Sequence, residues 1–216
     1  MKHPRAIVSS FGASTGSLTG MRLVVDTDAF YKLGICNLFE PALSLFDAGL
    51  ADCGRLPALP HMLRRGKLAT KLGPEACEML LAIVEQMPKT PGSKSEWLGK
   101  MTAVSAIDIG EAQLLATAAE SDLLMLSGDK RAMRQIPNVE GLAAVLQSKV
   151  VCLEAVLIAL CMRDGVPSVK SRIAPLVPHD KMVSICFGPD DPMEGLNSYY
   201  NAISSEVGHG VLWKWE

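Results

Sequence analysis

The chain has 216 residues, enough for one domain with a full core or for one domain and an extension. Hydrophobic residues make up 49% of it, as in a compact globular protein. The formal net charge of −2 excludes a strong overall positive field, so any nucleic-acid site must be a local basic patch.

The sequence predicts a cytoplasmic protein without membrane contact. The six cysteines have apolar neighbours and no CxxC pair, which indicates reduced core thiols. The apolar run at residues 6–8 is too short for the hydrophobic region of a signal peptide, about 7–15 residues. The most apolar segment, residues 150–162, contains Glu154 and is shorter than the roughly 20 residues that span a bilayer.

The first half of the chain alternates one clear strand with several helices. Residues 1–20 predict a flexible arm, because the segment is rich in Ser, Gly, Thr and Ala. Leu23-Val-Val-Asp26 predicts a strand that ends on an acid. A turn or a short edge strand is expected at residues 52–60, which contain Gly and Pro. Helices are predicted after Asp26 and at residues 39–50, 61–72 and 75–87.

Residues 106–134 are the most informative stretch. They predict a helix that opens on Asp108 and Glu111, followed by the unbroken apolar run 123–126 and then Asp129. Such a fully apolar strand belongs to a parallel sheet with helices on both faces. We therefore predict a three-layer α/β/α fold with a short, mainly parallel central sheet. Asp129 is expected at the carboxyl edge of that sheet, where open α/β sheets bind ligands.

The last part of the chain predicts further elements, namely helices at residues 139–147, 150–162 and 193–207 and a short strand at 182–187. We divide the chain into an α/β domain at residues 21–149 and a mostly helical C-terminal extension at 150–216, packed on the core. Three roles are open for this extension: packing, forming a homodimer, or binding a partner protein.

Four acids stand at predicted element ends: Asp26, Asp108, Glu111 and Asp129. If the two acid-ended strands are neighbours, their carboxylates converge and need a cation, for which oxygen ligands favour Mg²⁺ or Mn²⁺. The structural alternative is capping. Asp108 and Glu111 have the spacing of a capping box, Asp129 suits the start of a helix, and Asp26 suits a turn.

Three segments together resemble a PIN domain, in particular the subgroup whose central helix begins Gly-Glu-Ala. They are Leu23-Val-Val-Asp-Thr-Asp-Ala-Phe30, Gly110-Glu-Ala112 and Leu124-Met-Leu-Ser-Gly-Asp-Lys-Arg-Ala132. The resemblance covers about residues 21–140. It implies a metal-dependent nuclease that cuts RNA with three or four acids around Mg²⁺ or Mn²⁺, and a toxin paired with an antitoxin is one expectation.

Carried over by position, the resemblance implies Asp26, Glu111 and Asp129 as catalytic metal ligands. Asp108 is a further metal candidate, and Asp28 and Ser127 are auxiliary. The usual glutamate after the second strand is absent, and His61 stands about where it belongs. Either His61 replaces it, or another acid reaches in, or the site is weakened. The basic residues expected to contact RNA phosphates are Arg64, Arg65, Lys130 and Arg131.

Two other functions fit the same residues. Asp26-Thr-Asp28 after a strand and Ser127-Gly-Asp129 resemble motifs of haloacid-dehalogenase-type phosphatases, in which Asp26 would be the nucleophile. Phe30 departs from that pattern. The other reading is a degenerate PIN-like module that binds RNA or protein without cutting.

Overall fold

The protein has an α/β fold built around a parallel sheet. The computed structural model describes residues 20–189 and 191–215, so the predicted arm at residues 1–20 lies almost wholly outside the described residues. Within the described residues, the sheet has four strands in the order β2-β1-β3-β4. They are Leu23–Val25 (β1), Cys53–Arg55 (β2), Leu124–Ser127 (β3) and Val150–Cys152 (β4). Every pairing between them is parallel.

Helices connect the strands and cover the sheet. Those before β3 are Thr27–Ile35 (α1), Phe39–Ser44 (α2), Leu59–Arg65 (α3), Lys67–Leu72 (α4), Pro74–Val84 (α5), Glu96–Thr102 (α6) and Ile109–Glu120 (α7). Those after it are Lys130–Met133 (α8), Leu142–Val145 (α9), Leu153–Asp164 (α10), Val166–Ile173 (α11), Lys181–Phe187 (α12) and Met193–Val207 (α13). No helix in the described part of the chain is both long enough and apolar enough to cross a bilayer.

The two faces of the sheet bury separate hydrophobic cores. Leu23 and Val25 of β1 point into a core shared with α1, α5 and α10, whereas Val24 points into a second core shared with α7 and the end of α13. The same alternation continues in β3, where Leu126 joins the first core and Met125 joins the second. This period of two, with helices on both sides, gives the layered α/β/α arrangement that the apolar strands predicted.

Two predicted elements in the last third of the chain are wrong. The helix predicted at residues 150–162 begins only at Leu153, because Val150–Cys152 pair with β3 as the edge strand of the sheet. The strand predicted at residues 182–187 is the helix α12, in which Met182, Val183, Cys186 and Phe187 are buried with helical spacing. The sheet therefore extends into the segment that we had assigned to the C-terminal extension.

Candidate active site at the carboxyl edge of the sheet

Asp26 lies at the centre of this edge, because β1 lies between β2 and β3. It is the N-cap of α1, and its side chain accepts a hydrogen bond from the Ala29 amide at 2.6 Å. Its other oxygen accepts from the Ser127 hydroxyl at 2.5 Å and from the amides of Gly128 and Asp129 at 2.9 and 3.3 Å. Asp26 is only 4% exposed, and this burial raises the pKa of its carboxyl group to about 6 despite these donors. Asp26 is thus a buried acid whose charge is costly.

Glu111 and Asp129 form a second acidic centre next to Asp26. Burial and a hydrogen bond with Asp129 raise the pKa of the Glu111 carboxyl. Burial also acts to raise the pKa of Asp129, but hydrogen bonds from Glu111 and from the first amides of α8 outweigh it, and the pKa is lowered. The two carboxyl groups therefore titrate as an interacting pair, in which the ionised form of Asp129 is favoured and that of Glu111 is disfavoured. Arg131 lies 3.3 Å from Asp129 and 3.6 Å from Glu111.

The predicted caps are also present. Asp108 and Glu111 form a reciprocal capping box at the start of α7, with Glu111 accepting from the Asp108 amide at 2.8 Å and Asp108 accepting from the Glu111 amide at 2.9 Å. Asp129 caps α8 through the amides of Arg131 and Ala132. Capping uses one oxygen of each of these carboxyl groups, and it fixes the position of each group at the sheet edge.

Asp28 belongs to a separate ion-pair cluster that the sequence did not predict. The Lys32 ammonium lies 2.6 Å from Asp28 and 2.6 Å from Asp180. Burial acts to lower the pKa of Lys32, but the two carboxylates outweigh it and raise the pKa. Asp180 comes from the segment before α12, which is distant in sequence, so no motif around Asp28 could have revealed it.

Glu154 is the acid at this edge that our sequence interpretation missed. It follows β4 and is fully buried, with the Lys130 ammonium 2.5 Å from one carboxylate oxygen. Apart from that ion pair, neither oxygen accepts a hydrogen bond from the described residues. Because Ser127 is in register with Cys152, Asp129 and Glu154 occupy equivalent positions two residues beyond adjacent strands. The signal was available, since Val-Val-Cys-Leu-Glu repeats the pattern of an apolar strand followed by an acid.

A cleft of about 390 Å³ opens beside these groups. It is lined by backbone and side chains from the ends of β3 and β4, from α1 and from the start of α12. Its charged lining residues are Asp28, Lys32, Asp129, Lys130, Arg131, Asp180 and Lys181. The predicted RNA contacts Lys130 and Arg131 therefore both line the cleft.

The other predicted residues lie elsewhere. His61 is exposed on α3 and does not line the cleft. Arg64 pairs with Glu85 at 3.3 Å and lines a different groove, between α3, α4 and α5. Arg65 is exposed at the end of α3. The structure thus brings together the acids of β1, α7 and β3, and it does not add His61 or these two arginines to the cleft.

The donor set suits a hard divalent cation in its chemistry, because it consists of carboxylate oxygens. Across residues 20–189 and 191–215, however, no three acidic, histidine or cysteine side chains are arranged to hold a metal ion. Both carboxylate oxygens of Asp26 already accept hydrogen bonds from within the chain. Burial and Asp129 raise the pKa of Glu111, so binding of a cation by Glu111 and Asp129 requires that Glu111 be ionised.

No family model, curated protein or solved structure matches this chain.

Proposed function

We propose that this protein is a PIN-like, Mg²⁺- or Mn²⁺-dependent ribonuclease that hydrolyses RNA phosphodiester bonds. The observation that carries the proposal is the meeting of Asp26, Glu111 and Asp129, which are far apart in sequence, at the carboxyl edge of adjacent parallel strands. The Asp129 amide donates to Asp26, and the Arg131 guanidinium lies 3.3 Å from Asp129 and 3.6 Å from Glu111, so direct and shared contacts link the three acids.

The electrostatics of this group support a cation. Burial raises the pKa of both Asp26 and Glu111, which means that the folded protein disfavours their ionised forms. A divalent cation would reverse that preference and favour the ionised carboxylates. Glu111 and Asp129 would hold the ion directly, Asp26 would position Asp129 through its amide, and Asp108 would lie beside Glu111. When bound, such an ion lowers the pKa of a coordinated water and orients a phosphodiester for attack.

Cleavage of a fluorescent single-stranded RNA with Mn²⁺, and with EDTA, tests the proposal. Loss of a second-sphere group typically reduces the activity of a metal site 10- to 100-fold, so Asp129→Asn and Asp26→Asn are expected to reduce the rate by at least about 100-fold. Asp122→Asn is the matched control, because Asp122 is an exposed acid at the opposite, amino end of β3. Cleavage that survives EDTA, or that Asp129→Asn leaves unchanged, contradicts the assignment.

The geometry supports a phosphatase of the haloacid dehalogenase type less well. A nucleophilic Asp26 would have to face a bound phosphate, but this carboxyl group is almost fully buried and does not line the cleft. Both of its oxygens already accept hydrogen bonds. Asp28 lines the cleft and is neutralised by Lys32.

A second candidate function is an RNA-binding module that does not cleave. The observation in its favour is that cations of the chain already pair with most acids at this edge: Lys32 with Asp28, Lys130 with Glu154, and Arg131 with Asp129 and Glu111. The absence of an acid near His61 agrees with it. RNA binding by the wild-type protein without any Mn²⁺-dependent cleavage would select this function over the nuclease.

A further inference from the structure

One cation of the cleft, the Lys130 ammonium, is paired with a buried carboxylate on its protein side and is partly exposed on its cleft side. Lys130 is the first residue of α8, and its ammonium lies 2.5 Å from Glu154, which is fully buried beneath it. The same ammonium lies 5.0 Å from the centre of the Tyr199 ring. The Lys130 side chain is 25% exposed, and this exposed part lines the cleft. An ammonium has three N–H donors, so the Glu154 contact leaves donors for a ligand on the cleft side.

The neighbouring cations are committed differently. Lys32 is 11% exposed and is shared between two carboxylates that also line the cleft. Arg131 is largely exposed and pairs with Asp129 and Glu111 on the surface. Lys130 is distinct because its counter-ion is inside the protein, away from any ligand. The exposed Lys181 is a further cation in the lining of the cleft.

We propose that Lys130 binds a phosphate of single-stranded RNA in this cleft, and that Glu154 is a positioning residue that acts through Lys130. The identity of the ligand rests on the proposed function. The phosphate contact itself does not require the metal or cleavage. Lys130 binds as a point charge, so the contact contributes to affinity for every RNA sequence and carries no base preference.

The charge-neutral double variant Lys130→Met/Glu154→Gln tests this contact. It keeps the shapes of both side chains, leaves the net charge unchanged and avoids a buried unpaired Glu154, which would destabilise Lys130→Met alone. The matched control is Lys100→Met/Glu96→Gln, which removes an exposed ion pair on α6 in the same way. Binding of a 5′-fluorescein single-stranded RNA is measured by anisotropy in EDTA over a range of salt concentrations.

The double variant is expected to bind about 5- to 10-fold more weakly and to lower the salt slope by about 0.7, the value of one phosphate contact on a single strand. The control is expected to bind as the wild type does. Wild-type affinity and slope in the Lys130→Met/Glu154→Gln variant would overturn the proposal, as would a wild-type protein that does not bind RNA.

A double-mutant cycle tests whether Glu154 acts through Lys130. Glu154→Gln alone is expected to weaken binding about 2- to 3-fold, because the ammonium loses its fixed partner. In a Lys130→Met background, measured at a temperature at which circular dichroism shows this destabilised variant to be folded, the same change is expected to have no effect. Equal effects in both backgrounds would show that Glu154 does not act through Lys130. Weakened binding in a protein without cleavage activity would refute the nuclease alone, and normal binding by the double variant of an active nuclease would refute this site alone.

Discussion

Replacing Lys32 by Met tests whether its ion pairs with Asp28 and Asp180 stabilise the fold at the acidic edge of the sheet. Lys32 is 2.6 Å from both Asp28 and Asp180, and the side chains of Lys32 and Asp180 are 11% and 10% exposed. Removing one partner of a buried ion pair costs about 3–5 kcal/mol, because it leaves the other charge without compensation. For a chain of this size, that loss lowers the melting temperature by roughly 2–4 °C per kcal/mol, or about 6–20 °C in total.

Urea denaturation at pH 7 measures the effect. The control is Lys100→Met, which removes a 3.8 Å pair between exposed side chains and is expected to change the free energy of unfolding by less than about 1 kcal/mol. The double variant Lys32→Met/Asp180→Asn is expected to recover part of the loss, since it also removes the uncompensated carboxylate. A Lys32→Met protein within about 1 kcal/mol of the wild type would refute the view that this lysine neutralises the cluster.

Two further changes test the same edge. Gly128→Ala is expected to lower the free energy of unfolding by about 1–3 kcal/mol, because a Cβ at this position would lie 3.0 Å from the Ala29 amide nitrogen and against the Asp28 carboxylate. Gly99→Ala, with open space around it in α6, is expected to be neutral or stabilising when both variants are compared by urea denaturation, and equal losses in both would contradict the prediction. Asp180→Asn tests pH dependence: burial raises the pKa of Asp180, but bonding to Lys32 outweighs it and the folded pKa lies below the usual 3.8. The stabilisation from ionised Asp180 is therefore present above about pH 4 and is lost as the pH falls through the folded pKa. Urea titrations at several pH values compare the wild type with the variant, and their free energies of unfolding should converge in acid. A difference that stays constant down to pH 2 would argue against an ionised Asp180.

The sequence predicted the centre of the fold well because its signals are local. An apolar run followed by an acid marks β1 and β3, and the pairing of these strands places Asp26 and Asp129 at one edge. The helix at 193–207 is observed with those bounds. Capping chemistry was likewise readable, since the Asp108–Glu111 spacing produces the capping box seen in α7.

The sequence interpretation failed where tertiary contacts decide. Because the three residues of β4 run directly into a long apolar helix, hydrophobicity alone predicted one helix over both segments. The run at 182–187 has β-branched residues, which favoured a strand. It forms a helix because Asp180 caps it through the Val183 amide and because its buried residues lie on one side at helical spacing. Glu154, Lys32 and Asp180 acquire their roles from partners distant in sequence, and those partners are visible only in the folded chain.

The most direct test of the central claim is a crystal of this protein soaked in Mn²⁺ and measured for anomalous scattering. The account predicts one strong peak about 2.0–2.3 Å from carboxylate oxygens of Asp129 and Glu111 and close to Asp26, with loss of the peak in Asp129→Asn. No peak at the carboxyl edge of β1 and β3 in the wild-type protein, with the three acids still held by the hydrogen bonds described above, would contradict a metal-dependent nuclease site here.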